Sequence, residues 1–204
     1  MQTSFSVADI LNFEQRYRAT FINSLTGFKS VALIGTANEV GHTNLAIFNS
    51  IFHLGANPPM FGFVVRPHSV ERHTLDNILN TGQLTVNHIQ EPFYQQAHQT
   101  SARYPAHQSE FDATGLTPVY HEGCVAPFVQ ESNIQIAAEF VRKIDVEENG
   151  TLIIVARITA VHLPEDCIAT DGYIDVEQAG SITCVGLDSY HRTTRIGRLP
   201  YAKP

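Results

Sequence analysis

Two short stretches hold the residues whose types and spacing could do chemistry: residues 41–50, GHTNLAIFNS, and residues 66–78, RPHSVERHTLDNI. The first sets Thr43, Asn44, Leu45 and Ala46 in a row and follows them with Asn49 and Ser50. Small side chains there let the backbone approach a ligand, while amides and hydroxyls can hydrogen-bond along one edge of it. The second stretch gathers Arg66, Ser69, His73 and Thr74, with His68 and Arg72, around a helix start. Unpaired N–H groups at a helix N-terminus and nearby cations stabilise an anion. Taken together, the halves describe a site for a flat molecule that carries a phosphate. Each half also has an ordinary reading, as a plain hairpin strand followed by a loop and as a capped helix with solvated charges. What joins them is that both end neighbouring strands.

Composition narrows the partners. A formal net charge of -7 and a pI near 5.7 argue against nucleic acid, which needs a clustered basic face. Any bound anion must therefore be met by local positive charge. With 43% hydrophobic residues in 204, the chain can bury a sizeable core as a soluble globule. The first residues lack a basic region followed by an apolar core, so no secretory signal is expected. No apolar run approaches the roughly 18 residues that span a bilayer, so no membrane partner is expected. Cys124, Cys167 and Cys184 are widely separated and form no C-x-x-C pair, which points to reduced structural thiols in a cytoplasm. The ten histidines show no H-E-x-x-H spacing, and no metal site is expected.

The elements that must position these residues read mainly as strands. Ile10, Leu11, Phe13 and Tyr17 recur near helical spacing, so residues 7–17 predict a short amphipathic helix, with Asp9 able to cap it. Residues 28–38 and 42–48 predict a hairpin around a turn at 39–41. Residues 51–59, rich in Gly, Asn and Pro, predict a loop, and residues 60–67 a third strand stopped by Pro67. A helix ends at Gly82, and residues 83–89 form the fourth strand. Residues 91–118 predict a helical excursion, with weak helices near 93–100 and 109–114. Strand segments over 125–146 break near 131–133, and a further strand follows at 151–163. Such a series favours an antiparallel barrel with peripheral helices over a parallel doubly wound sheet. No G-x-G-x-x-G follows a strand, so a nucleotide would have to be held in some other way. The chain is expected to form one domain over residues 1–204, with an N-terminal helix at about 7–18. The last residues, about 187–204, carry Arg192, Arg195, Arg198 and Lys203 beside Tyr190 and Tyr201. They predict a docking segment for the chain's own body or for a partner subunit.

A flavin ring presents hydrogen-bonding atoms in one plane and is recognised by backbone N–H groups and small polar side chains along its edge. The row from Thr43 to Ala46, running into Asn49 and Ser50, supplies that kind of edge. At these residues the chain resembles the flavin reductase-like proteins with the FMN-binding split-barrel fold. GHTNLAIFNS is similar to that family's G-x-x-N-L-A-P-F-S-S, ANPPMFGFVV to its D-P-P strand, and RHTLDNILNTGQLTVN to its K-D-T-x-x-N-I-x-x-T-G-E-F-x-V-N. SEFDATGL, residues 109–116, is similar to D-E-F-x-x-A-G-L. The resemblance covers about residues 21–202. Ile47, Asn49 and His73 stand where the family often has Pro, Ser and Asp.

The resemblance implies a mainly β fold, an antiparallel split β-barrel with peripheral helices. It also implies an FMN near the interface of a homodimer. The ring would lie against residues 44–46 and the Asn49–Ser50 loop, and the phosphate near Arg66, Ser69, His73 and Thr74. It further implies an NAD(P)H-dependent oxidoreductase in which NADH or NADPH gives a hydride to FMN, which passes electrons to a flavin, protein or small-molecule acceptor. Hydride transfer between stacked rings asks for positioning more than for an acid or base, so no catalytic side chain is assigned. Asn49 and Ser50 could tune the flavin edge, and Tyr190, His191 and Arg192 could line the nicotinamide or partner side. Two other readings stay open: an electron carrier reduced only by a protein, and a non-enzymatic module for a small anion.

Overall fold

The computed structural model describes residues 1–67, 73–105 and 107–203. Two helices, α1 (Val7–Asn12) and α2 (Gln15–Leu25), precede β1 (Lys29–Ser30), β2 (Ala32–Ala37), β3 (Thr43–Phe48), β4 (Phe52–Ala56) and β5 (Pro59–Val65). Then come α3 (His73–Thr81), β6 (Gln83–His88), α4 (Tyr94–Gln99) and α5 (Glu110–Thr114). The remaining strands are β7 (Pro118–Val119), β8 (Phe128–Val129), β9 (Gln135–Val146), β10 (Thr151–His162), β11 (Thr183–Val185) and β12 (Ser189–His191).

Seven strands form one antiparallel sheet in the order β3-β2-β6-β9-β10-β5-β4, leaving β3 and β4 at its two edges. Residues 49–51 link those edges, and Ser50 among them is fastened to β5. Its Oγ accepts from the Val64 N–H and donates to the Val64 carbonyl, both at 3.1 Å. Phe52 pairs with Gly62 on β5, so Ser50 falls opposite Val64 where a backbone ladder would continue. A side chain does the ladder's work, and the sheet stays a split barrel rather than a closed one.

The apolar run of residues 31–37 is explained by burial on both faces of β2. Ala32 and Ile34 join Phe61, Phe63, Leu84, Val86, Ile154 and Ala156 inside the sheet, where Leu75 and Ile78 of α3 also sit. Val31 and Leu33 face the other way, into a second cluster with Leu45, Phe93, Ala97 and Phe111 under α4 and α5. Such two-sided burial removes the alternation that a half-exposed strand would show.

Four expectations about elements change. Residues 7–17 do not form one helix: Phe13 adopts an extended conformation at the end of α1, and the Glu14 carboxylate accepts from Arg16 and Tyr17 N–H to start α2. The cap of α1 is Ser6, and Asp9 completes a capping box with it instead of capping alone. Residues 51–59 are not a loop but contain β4, because Pro59 only begins β5 and Gly55 sits at a register shift on an edge strand. Those are the positions where sheets tolerate Pro and Gly. Finally, β11 and β12 add a small sheet with β1 near the end of the chain. Beyond it, Arg195 and Arg198 reach Asp175 and Asp171 at 2.7 Å each, and Arg192 pairs with Glu91. The tail thus contacts the chain's own body. Most of these side chains are exposed and Asp175 is half-buried, so solvent screening leaves each pair little to contribute.

His88, at the end of β6, gives the fold a pH dependence. Its Nδ1 lies 2.9 Å from Ser181 Oγ, and burial pushes its imidazole down from 6.5 to about 4. Above the unfolded value neither state binds a proton there. As pH falls, the unfolded chain takes up a proton that the folded chain refuses, so stability declines and levels off near the folded value. Urea unfolding is expected to show a loss of about 2 kcal/mol between pH 7 and pH 5, and His88→Asn is expected to flatten it.

Candidate functional site

The residues singled out in the sequence gather around β3. Among the described residues this strand pairs only with β2, and one of its long edges has no strand partner there. Asn44, buried, turns its amide toward α3: Nδ2 donates to Thr74 Oγ1 at 2.9 Å and lies 3.3 Å from Thr36 Oγ1. Asn77, one turn further along α3, also donates to Thr36 Oγ1, at 3.1 Å. The two sequence halves therefore meet, and the contact that joins them is Asn44 to Thr74.

On the open side of β3 stands α5. Ser109 caps α5 by accepting from the Phe111 N–H at 3.3 Å, and its hydroxyl lies 2.7 Å from Thr43 Oγ1. Glu110 Oε2 accepts the Leu45 N–H at 2.9 Å. That carboxyl is buried, and burial raises its pKa, opposed by the Leu45 hydrogen bond and by the nearby charge of His73. Hydroxyls, an imidazole and a buried carboxyl thus converge where β3, α3 and α5 meet.

The other sequence candidates lie apart from this junction. Ala46 is half-buried further along β3. Asn49 donates to the Gly186 carbonyl at 2.6 Å, and Ser50 is engaged with Val64. Arg66 follows the end of β5 and is exposed. Ser69, His68 and Arg72 lie outside the described residues. In the tail, Tyr190 Oη is 2.8 Å from His98 Nδ1, His191 contacts Phe28 edge-on, and Arg192 is held by Glu91.

A family model for the flavin reductase like domain matches residues 26–176. The chain belongs to the flavin reductase-like family. The matched span holds β1 to β10 and every sequence candidate from Thr43 to Thr74. A protein of Shewanella frigidimarina NCIMB 400, provisionally assigned as a flavin reductase with split barrel domain, is 46% identical and superposes with a TM-score of 0.95 over 98% of this chain and all 100% of that one. Nitrilotriacetate monooxygenase component B from Bacillus cereus superposes with a TM-score of 0.85 at 22% identity, over 98% of this chain and 99% of that chain. At that identity the likeness shows the fold. An uncharacterized protein of Halalkalibacterium halodurans is 24% identical over 89% of this chain and 88% of its own length. Membership brings a flavin cofactor and oxidoreductase chemistry as the coarse assignment.

The residues present fit a flavin. Where β3 meets α3 and α5, Thr43 and Thr74 offer hydroxyls that can donate or accept, Ala46 adds no bulk, and Leu45 is anchored from the side. Arg66 supplies exposed positive charge at the end of the strand that leads toward α3. Sequence reasoning missed Ser109, Glu110, Thr36 and Asn77 as members of this site. SEFDATGL was visible as a motif, but nothing in its spacing said that its first two side chains would reach across to β3. Among the described residues no group of three or more His, Cys, Asp or Glu could hold a metal ion, and no helix is long and apolar enough to cross a membrane.

Proposed function

We propose that the chain is an FMN-binding oxidoreductase that takes a hydride from NADH or NADPH. The observation that carries this reading is the Asn44–Thr74 hydrogen bond of 2.9 Å, because it draws the ring-edge stretch and the phosphate stretch into one site. The ring lies along residues 43–46, with the Asn49–Ser50 loop at the far end of β3. The phosphate is met by Arg66, Ser69, His73 and Thr74. FMN supplies hydride acceptance when bound. The chain's own part is to orient: Asn44 ties β3 to α3, Ser109 and Glu110 tie β3 to α5, and Thr43 and Thr74 offer hydroxyls to the cofactor.

Two copies form the working unit in this reading, with FMN near their interface. Support comes from large apolar side chains left exposed on one copy: Val7, Leu11, Leu25 and Phe28 near the N-terminus, and Ile196, Leu199 and Tyr201 in the tail. The electron acceptor is a flavin, a protein or a small molecule.

The test is spectroscopic. Protein loaded with FMN, kept under nitrogen, is expected to lose its visible flavin band when NADH or NADPH is added. A yellow protein inert to both nucleotides would instead be an electron carrier reduced by another protein. A colourless protein that gains no thermal stability from FMN would contradict flavin binding, since a ligand of the folded state must raise the melting point.

A further inference from the structure

Glu110 ties β3 to α5 in the flavin reading, and it brings to that tie a charge that the tie itself does not require. Leu45 is fully buried, yet its N–H points away from β2, where a strand would ordinarily pair with it. Glu110 takes that N–H at 2.9 Å, and two residues back along the strand Thr43 meets Ser109 at 2.7 Å. Both contacts come from the first turn of α5. A buried backbone donor is costly when left without an acceptor, and a neutral serine or glutamine could equally accept from it. The use of a carboxylate at a site with 6% exposure is the expensive solution. Across β3, among the described residues, the titratable group acting on it is His73 of α3, and the hydroxyls of Thr43 and Ser109 stand beside it; Asp112, on α5 itself, is exposed.

We propose that Glu110 is a positioning residue of the flavin cleft: it holds the Leu45 amide so that the edge of β3 keeps its place against α3, and its charge weakens the cleft's hold on an anionic flavin. This inference rests on the flavin reading above. A protonated Glu110 leaves the positive charge of Arg66 to act on the phosphate without a carboxylate opposing it. An ionised Glu110 subtracts from that attraction. Burial raises the pKa of this carboxyl, so the exchange falls at a higher pH than for a free glutamate.

The experiment titrates the wild type and Glu110→Gln with FMN, following flavin fluorescence, from about pH 5 to about pH 9. The glutamine oxygen can still accept the Leu45 N–H, so the variant keeps the geometry and loses only the charge. Titration of the FMN phosphate affects both proteins and cancels in the ratio of their affinities. That ratio is expected to reach about tenfold in favour of Glu110→Gln at the alkaline end, the order for one unit charge across a partly screened cleft, and to fall toward one as Glu110 takes up its proton with falling pH. A ratio near one at every pH overturns the role of Glu110 while leaving the flavin reading intact. A wild type that binds no FMN at any pH overturns that reading and the proposal with it. Should Glu110→Gln fail to fold, the wild-type carboxyl is titrated by NMR with and without FMN. Linkage requires bound FMN to raise its pKa, and an unchanged value overturns the proposal.

Discussion

Gly35→Ala is expected to remove about 3 kcal/mol or more of folding stability, the upper range for overpacking a closed core. Gly35 lies in the middle of β2, paired with Leu45 on one side and Thr85 on the other. An added Cβ would lie 2.1 Å from the Pro127 carbonyl oxygen and 2.6 Å from Thr85 Oγ1. Neither can step aside at low cost. Thr85 Oγ1 donates to that same carbonyl at 2.6 Å, and the following segment is tied down where Asn87 Oδ1 accepts from the Val129 N–H at 3.0 Å. Asn87 itself is fully buried and donates to Leu33 O and Thr85 Oγ1, so displacing residues 126–129 would strand several polar groups. Folded domains have roughly 5–15 kcal/mol to lose, so urea unfolding should show a large drop in midpoint or no folded protein at all. Gly62→Ala is the comparison. Its Cβ would meet the Phe52 ring at 2.5 Å, but that ring is a side chain on an edge strand and can rotate, so the loss should be smaller.

The second large effect concerns the cofactor. Asn44→Ala combined with Arg66→Ala is expected to weaken FMN binding roughly hundredfold, as loss of one positioning amide and one charge-assisted contact implies. Asn44 acts through Thr74, which it holds at 2.9 Å, and Arg66 acts as exposed charge at the end of β5. Circular dichroism of the variant should match the wild type apart from a modest loss in stability from the buried amide. Fluorescence titration with FMN reads the affinity, and an unchanged value would sink the placement of the site between β3 and α3.

Much of the scaffold was legible because its signals are local. The β2–β3 hairpin, α3 with its stop at Gly82, where φ is 73°, and the long β9–β10 pair follow from runs of residues that carry their own period or turn chemistry. The weak helix near residues 109–114 was legible too, whereas its cap, the Ser109 hydroxyl 3.3 Å from Phe111 N, shows only in the structure. β4 was not, since Gly55, Asn57, Pro58 and Pro59 are loop residues everywhere except at a bulged edge strand and its hairpin turn. Only pairing with β5 reveals that they sit there. Ser50 shows the same limit: a serine before an apolar run gives no sign that its hydroxyl will stand in for a backbone ladder to Val64. The site divides in the same way. Residues 43–46 and 73–74 declare themselves by type, whereas Glu110 reaches Leu45 across 65 positions, a separation over which no period or cap operates. The split between β11 and β12 likewise depends on contacts with β1 at the other end of the chain.

In the proposed site, a flavin is held by its phosphate as well as by its ring. The most direct measurement is a paired titration of the wild-type protein with FMN and with riboflavin, which carries the same ring without the phosphate. FMN is expected to bind at least about tenfold more tightly, since the charge-assisted contacts at Arg66 and the start of α3 are available to it alone. Equal affinity for the two, or no binding of either, would contradict the site proposed between β3 and α3.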